Sequence, residues 1–246
     1  KTETAKALAA VYFGNTDAMV RYDCTEYQSG DGLTRLIGSS VSNQHGMLAN
    51  ALRSAPYAVV LLDEFEKSHE KVQDLFLQIL DEGFFTDAFG ERVSMRNCII
   101  IATSNAGSVF ILDALQKKIP VSEMQTGVIS HIQSNGIFKP ELLNRFDSVI
   151  VFTPLGAEEL QQVARLMLQG LAIRLKKQNL NLRLTDDLVQ AVATGGYSAT
   201  FGARPMRRFI QDRIEKVIAD RIIAGSLKDG DTIVLTAQEL SSDAAR

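Results

Sequence analysis

The stretch that decides the fold runs from Tyr57 to Glu64 and reads YAVVLLDE. Its first six residues are an uninterrupted apolar run, which is typical of a strand buried on both faces of a parallel sheet. Two acidic residues, Asp63 and Glu64, follow directly. Because open α/β sheets hold their ligands at the carboxyl ends of their strands, this stretch predicts a parallel sheet with a site at its edge.

Apolar segments of the same kind lie on both sides of this strand, with helical patterns between them. Further strands are predicted at Ala18–Cys24, Cys98–Thr103 and Ser148–Phe152, and helices at Lys1–Phe13, Met47–Arg53 and Val72–Leu80. Parallel strands need crossover connections, so this alternation indicates an α/β layered fold. Phe84–Val93 has turn residues between short extended pieces and predicts a hairpin.

The pattern changes after Thr153-Pro154, where we place a domain boundary. The remainder is mainly helical, with short strands. Helices are predicted at Glu158–Lys177, Asp186–Ala193 and Pro205–Ala224, and strands at Asn181–Leu184 and Thr232–Thr236. We therefore expect two domains, residues 1–153 and residues 154–246.

Composition limits the functional classes. The 246 residues are 46% hydrophobic and 22% charged, as in an ordinary folded protein rather than a disordered one. With 26 basic and 29 acidic residues the net charge is −3, which argues against a broad nucleic-acid-binding surface. The apolar runs are far shorter than the ~20 residues of a membrane span, and no signal peptide is recognisable. We expect a cytoplasmic protein with no membrane partner.

Lys1 and Thr2 match the end of the phosphate-loop pattern G-x-x-x-x-G-K-[ST], in which the lysine contacts phosphates and the hydroxyl binds magnesium. In the same chemistry Asp63 would bind Mg²⁺, and Glu64 would take a proton from an attacking water. A Lys-Thr pair alone carries no information. Acidic residues also commonly end strands in solvent, and the short LLDE motif leaves that alternative open.

Three more polar residues fit the same chemistry, each with a structural alternative. Asn105 follows the strand CIIIATS and would orient a water, or else begins an Asx turn. Arg145, in LLNRFD, would stabilise charge on a transferring phosphoryl group, or else form a surface ion pair beside Asp147. Arg204, in FGARPMRR, stands at a helix entry, where it would meet an anion or only cap the helix.

Nine ordered segments of the chain resemble one family. They are KTETAKALA, RYDCTEY, RLIG, PYAVVLLDEFEK, LFLQILDEG, IIIATSNAGS, FKPELLNRFD, IVFTPL and FGARPMRRFI. Together they resemble the second ATPase module of Clp-type AAA+ unfoldases, most closely the ClpA, ClpB and ClpC branch. The resemblance implies a P-loop AAA+ parallel-sheet domain, then a small, mainly helical domain with short strands. It also implies ATP and Mg²⁺ as cofactors, and a homohexameric ring that threads polypeptides.

The resemblance assigns roles to the residues already singled out. Lys1 and Thr2 correspond to the end of the Walker A motif, and Asp63 and Glu64 to Walker B. Thr2 and Asp63 would hold the magnesium ion, and Glu64 would be catalytic.

The remaining roles are also implied only by the resemblance. Asn105 corresponds to sensor 1, and Arg145 to the arginine finger that acts on the ATP of a neighbouring subunit. Arg204 corresponds to sensor 2, which contacts the nucleotide.

The sequence departs from the family pattern at its start. The glycine-rich part of Walker A and the strand before it are not among the 246 residues, so we expect a fragment truncated inside that motif. Backbone N–H groups of the glycine-rich loop hold the phosphates, so these residues alone are expected to bind ATP poorly, with weak activity or none. Without that strand we also expect marginal folding.

Two further departures concern partners. The pore-loop stretch Gly38–Gly46, GSSVSNQHG, has no aromatic residue to grip a polypeptide, and the alternatives are Phe84, Phe85 and Phe89. We expect at least one of these three to pack in the core instead. Between Asn105 and Arg145 no tripeptide matches the peptidase-docking motif, so a ClpP-type peptidase partner is not supported.

The leading hypothesis is therefore an ATP-dependent unfoldase or disaggregase module acting on unfolded or aggregated protein. One alternative is an AAA+ ATPase that remodels a nucleic-acid complex, which salt-sensitive DNA binding would indicate. Another is a ring scaffold with a degenerate pore. The set of five intact functional motifs argues against that scaffold.

Overall fold

Three parallel strands form the sheet of the first part of the chain. The structure is a computed structural model; it describes residues 1–198 and 202–241 and divides into two compact units, Lys1–Phe152 and a second beginning at Thr153. The strands of the first unit are β1 (Met19–Asp23), β2 (Gly38–Ser39), β3 (Gln44–His45), β4 (Val59–Asp63), β5 (Phe84–Thr86), β6 (Arg92–Ser94) and β7 (Ile99–Ala102). The sheet order is β1-β4-β7, with Asp23 opposite Asp63. These three strands and the β5-β6 hairpin confirm the predicted elements.

Helices cover the two faces of this sheet. Those of the first unit are α1 (Thr2–Phe13), α2 (Gly32–Ile37), α3 (Met47–Ser54), α4 (Glu70–Glu82), α5 (Ser108–Gln116), α6 (Val121–Ser134) and α7 (Pro140–Leu143). Val59 and Leu61 of β4 pack with Ala5 and Ala9 of α1, while the alternate residues of the strand lie in the larger core. Successive side chains of a strand point to opposite faces, so the run from Ala58 to Leu62 is buried on both sides, as predicted, whereas Tyr57 is 61% exposed.

The strand predicted at Ser148–Phe152 is wrong. No strand is present there: Ile150 is 72% exposed, and the carbonyl of Val149 accepts a hydrogen bond from the side chain of Gln125 at 2.7 Å. In the sheet order β1-β4-β7, neither edge strand pairs with residues 148–152. An apolar, β-branched run becomes a strand only where a neighbouring strand offers its backbone groups.

The second unit is mainly helical around its own core. It contains α8 (Ala157–Lys176), β8 (Asn181–Leu182), α9 (Asp186–Gly195), α10 (Arg204–Phe209), α11 (Lys216–Ile223), β9 (Thr232–Ile233) and α12 (Ala237–Ser241). β8 and β9 are parallel. The single helix predicted at Pro205–Ala224 is instead interrupted by a π-helical segment, Ile210–Glu215. There the N–H of Lys216 bonds the carbonyl of Gln211, five residues earlier.

None of the helices described is long and apolar enough to cross a membrane.

Candidate functional site

The carboxyl ends of β4 and β7 bring several polar side chains together. We refer to them as the strand-end cluster, which consists of Lys1, Arg21, Asp63, Glu64, Glu66, Thr103 and Asn105. Sequence reasoning selected four of these seven. It missed Arg21, Glu66 and Thr103, whose proximity depends on the strand register and on the turns that follow the strands.

Thr103 ties the two strand ends to each other. Its hydroxyl donates to Asp63 Oδ1 at 2.5 Å and accepts the backbone N–H of Glu64 at 3.2 Å. Its carbonyl accepts the N–H of Phe65 at 2.9 Å, and its N–H donates to the carbonyl of Leu62 at 2.8 Å. Thr103 is buried, so the position of Asp63 depends on the packed interior.

Asp63 is held as a carboxylate by its neighbours. Arg21 of β1 donates to Oδ2 at 2.5 Å. Burial by itself opposes ionisation of Asp63 and would raise its pKa. The carboxylate is stabilised by hydrogen bonds from Thr103 and Arg21 and by the positive charges of Arg21 and Lys1. These contacts outweigh burial, so the pKa of Asp63 lies below its usual value. Asp63 is therefore ionised at neutral pH and can serve as an oxygen ligand.

Glu64 adopts the left-handed backbone conformation, with φ 55° and ψ 47°. This conformation is costly for a residue with a side chain and is found mostly where the surroundings enforce it, often at functional sites. Here Thr103 fixes the N–H of Glu64, and the next residue, Phe65, is buried against Phe76 and Phe138. The turn directs the chain out of β4 into a short 3₁₀ turn, Phe65–Lys67.

Lys1 brings the start of α1 to the same edge. Its ammonium donates to the carbonyl of Ser104 at 3.0 Å and to Oδ1 of Asn105 at 2.7 Å. Thr2 is the first residue of α1. The structure thus joins Lys1 to Asn105 directly, although 104 positions separate them in the chain.

Arg145 makes a separate contact within the first unit. Arg145 forms a surface ion pair, as the structural alternative predicts, but its partner is Asp81, at 2.9 Å, with both side chains about half exposed. Among the described residues no hydrogen bond or ion pair joins Arg145 to the strand-end cluster. Arg204 belongs to the second unit, where it is exposed at the first position of α10, ahead of Pro205.

The donor atoms present fit Mg²⁺ rather than a transition metal. Within residues 1–198 and 202–241, no three His, Cys, Asp or Glu side chains converge as a metal site. Mg²⁺ is usually held by one or two protein oxygens together with phosphate oxygens and water. The ionised Asp63 and the hydroxyl of Thr2 are ligands of that class.

A second feature is the Val41 hairpin, which comprises β2, β3 and the turn between them, residues 38–45. Val41 at its tip is 98% exposed. The ring of His45 stacks on Phe89 with 4.5 Å between ring centroids. Phe85 is fully buried, which confirms that at least one of the three phenylalanines packs in the core.

Residues 1–149 match the family model described as AAA domain (Cdc48 subfamily). The chain belongs to this AAA family. Residues 155–235 match a second model, the C-terminal, D2-small domain of ClpB protein. Together the two matches make the chain a Clp-type second ATPase module, as the resemblance implied. Membership in this family implies nucleotide binding.

Individual relatives agree with this assignment. The chain is 43% identical to Chaperone protein ClpB 2 of Nostoc sp. over 97% of its own length and 28% of the relative's. It is 39% identical to Chaperone protein ClpB of Aquifex aeolicus, covering 96% of this chain and 24% of that one. The AAA module therefore spans about a quarter of the length of these curated relatives.

Solved structures show the same fold. The Hsp104:casein complex of S. cerevisiae in its extended conformation superposes with a TM-score of 0.83 at 31% identity, covering 97% of this chain and 42% of that chain. The S. cerevisiae Hsp104-ADP complex gives 0.84 at 33% identity, covering 95% and 41%. The α/β parallel-sheet fold with a helical C-terminal part is thus the fold of an AAA+ module.

Proposed function

We propose that this chain is the ATP-hydrolysing module of a cytoplasmic protein unfoldase or disaggregase. The observation that carries the proposal is the convergence of Lys1, Asp63, Glu64 and Asn105 at one sheet edge in an AAA-family chain. Residues 1–153 would form the ATPase domain and residues 154–246 the small domain. The relative solved as a casein complex supports polypeptide as the substrate class. The chain would assemble with copies of itself as a homohexameric ring.

Each residue would contribute by position and charge. Lys1 would exchange its bonds to Ser104 and Asn105 for the phosphates of ATP. Thr2 and Asp63 would hold Mg²⁺, which supplies charge neutralisation on the phosphates when bound. Glu64 would take the proton of the attacking water, which Asn105 orients.

Arg145 and Arg204 would complete the site from elsewhere. Arg145 is half exposed, and its pairing with Asp81 is weak enough to be exchanged for a phosphate of a neighbouring subunit. Arg204 would contact the nucleotide in the sensor 2 role. A dependence on the neighbour's arginine would make activity depend on assembly.

ATP turnover tests this proposal. Of the pattern G-x-x-x-x-G-K-[ST], the 246 residues contain only the last two, Lys1 and Thr2, so we expect the chain alone to bind ATP weakly. Turnover is therefore measured on an extended chain, in which the glycine-rich loop and preceding strand of a ClpB relative are joined to Lys1. We expect turnover that rises when an unfolded casein is added.

The variant Glu64→Gln separates chemistry from folding. It should lower turnover about 100-fold or more, since general-base catalysis contributes factors of that order, while the unfolding midpoint stays the same. The matched control is Glu123→Gln, which alters an exposed carboxylate on α6. Full turnover in the Glu64 variant, or none in the unmodified extended chain, would refute the proposal.

A further inference from the structure

Glu66 makes a contact that none of the roles above uses. It lies in the 3₁₀ turn after β4, and its Oε1 accepts the backbone N–H of Asn105 at 2.9 Å. This bond joins the turn that follows β4 to the loop that follows β7. Glu66 therefore touches the residue to which the water-orienting role is assigned.

The bond fixes one particular peptide group. The carbonyl of Ser104 and the N–H of Asn105 belong to the same planar peptide, and no peptide among the described residues is cis. In a trans peptide these two groups point in opposite directions. Lys1 donates to the carbonyl at 3.0 Å and Glu66 accepts from the N–H, so the two side chains hold opposite edges of that peptide.

The other oxygen of Glu66 contributes no such bond. Oε2 is buried and has no hydrogen-bond partner among the described residues. A buried acceptor without a hydrogen-bond partner lowers the stability of the fold. Asp63 and Glu64, which also carry carboxyl groups, lie three and two positions earlier in the sequence, respectively. Stability alone therefore does not explain a carboxylate at this position.

We propose that Glu66 is a positioning residue for ATP hydrolysis. When Lys1 leaves the Ser104 carbonyl for the phosphates, the bond from Asn105 to Glu66 is the contact that keeps this peptide, and with it the Asn105 side chain, in place. The inference rests on the proposed ATPase function and adds a residue to it.

The test compares three substitutions in the extended chain. Glu66→Ala removes the acceptor, and we expect kcat to fall about tenfold with KM for ATP changed less than about twofold, because positioning errors act on the chemical step. Glu66→Gln keeps an acceptor oxygen and should retain kcat within about threefold. Glu66→Asp keeps a carboxylate, but its side chain is one methylene shorter and should not reach the Asn105 N–H. We therefore expect kcat to fall as in the alanine variant. If Glu66→Ala does not fold, the aspartate variant tests the role of Glu66 in its place.

Hydrogen exchange supplies a readout that needs no ATP. The Asn105 amide should exchange faster in Glu66→Ala and Glu66→Asp than in the unmodified protein, and at the unmodified rate in Glu66→Gln. The control Glu123→Ala should change neither exchange nor turnover.

The outcomes separate the two proposals. If the unmodified extended chain does not hydrolyse ATP, the proposed function fails and this inference fails with it. If it does hydrolyse ATP and Glu66→Ala keeps its kcat, or Glu66→Gln is as impaired as Glu66→Ala, only the role of Glu66 is overturned.

Discussion

At the strand-end cluster both oxygens of Asp63 accept hydrogen bonds, and the neighbouring Thr103 and Phe65 are buried. At the tip of the Val41 hairpin the Val41 side chain is 98% exposed. The two regions belong to the same unit of the chain, yet only the first is tied into the core. Its geometry is therefore maintained by the same contacts that stabilise the fold.

This difference predicts how each region tolerates substitution. Thr103 and Asp63 of the cluster contact each other, and Thr103 is buried, so altering either of these two residues affects folding as well as chemistry. The hairpin tip contributes little to stability, so its side chains can change freely, and here the tip carries valine rather than an aromatic residue. Substitutions in the cluster should lower the free energy of unfolding more than substitutions at the hairpin tip. Measurements of casein-stimulated turnover should show whether the tip contacts a polypeptide.

The largest expected effect comes from the residue beneath the cluster. Phe65 is buried and contacts Phe76 and Phe138 at centroid distances of 5.7 and 5.6 Å. Phe65→Ala should lower the free energy of unfolding by about 3–5 kcal/mol. Urea unfolding followed by circular dichroism measures it, with the half-buried Phe89→Ala as the matched control. An equal loss in the control would remove the contrast between the two regions.

A smaller effect is expected at Thr103. Thr103→Val keeps the shape but leaves Asp63 with one donor fewer and the Glu64 N–H without its acceptor, which should cost about 1–3 kcal/mol at pH 7. The folded pKa of Asp63 is lowered, so its contribution is present above the unfolded pKa and is lost as pH falls through the folded one.

The stability deficit of the Thr103→Val variant should therefore depend on pH. Its stability deficit should shrink as the pH is lowered through about 4 and below, the region where the unfolded carboxyl titrates. Urea unfolding at pH 7 and at lower pH measures this change. A deficit independent of pH would mean that the Glu64 N–H left without its acceptor, rather than the lost bond to Asp63, causes it.

Arg145 should affect stability still less. It forms a half-exposed ion pair with Asp81, so Arg145→Ala should change the free energy of unfolding by less than about 1 kcal/mol. In the extended chain, however, it should suppress turnover, including that of unmodified subunits with which it is mixed. Asp81→Ala is the matched control, since it breaks the same pair without removing the arginine. If the two variants lose turnover equally, the ion pair and not the arginine is what matters.

The smallest effect on stability is expected at the hairpin tip. Val41→Tyr should leave the free energy of unfolding within about 0.5 kcal/mol, because the side chain contacts solvent. It should raise casein-stimulated turnover of the extended chain by about twofold or more, since an aromatic ring offers more contact area to a polypeptide. Val41→Ser should lower that stimulation. Stimulation that is the same in all three forms would show that the tip does not contact the polypeptide.

Much of the architecture could be predicted because local patterns settle it. The run VVLL has no polar position, which favours burial on both faces, and these residues of β4 are buried. Gly14 and Gly83 end α1 and α4 in the left-handed conformation, as expected of glycine after a helix. Ser148–Phe152 has an equally good strand pattern, but whether such a run pairs depends on a neighbour, which a local pattern does not contain.

By itself, the sequence determined the fold class, the family, and four polar residues that meet at one sheet edge, because periodicity and motif spacing are local properties of a chain. Tertiary structure alone decided that Arg21 and Thr103 hold Asp63, that Glu66 and Lys1 hold one peptide from opposite sides, and that Arg145 pairs with Asp81. These contacts join residues far apart in the chain. Their existence depends on strand register and side-chain packing, which are set only when the whole unit is folded.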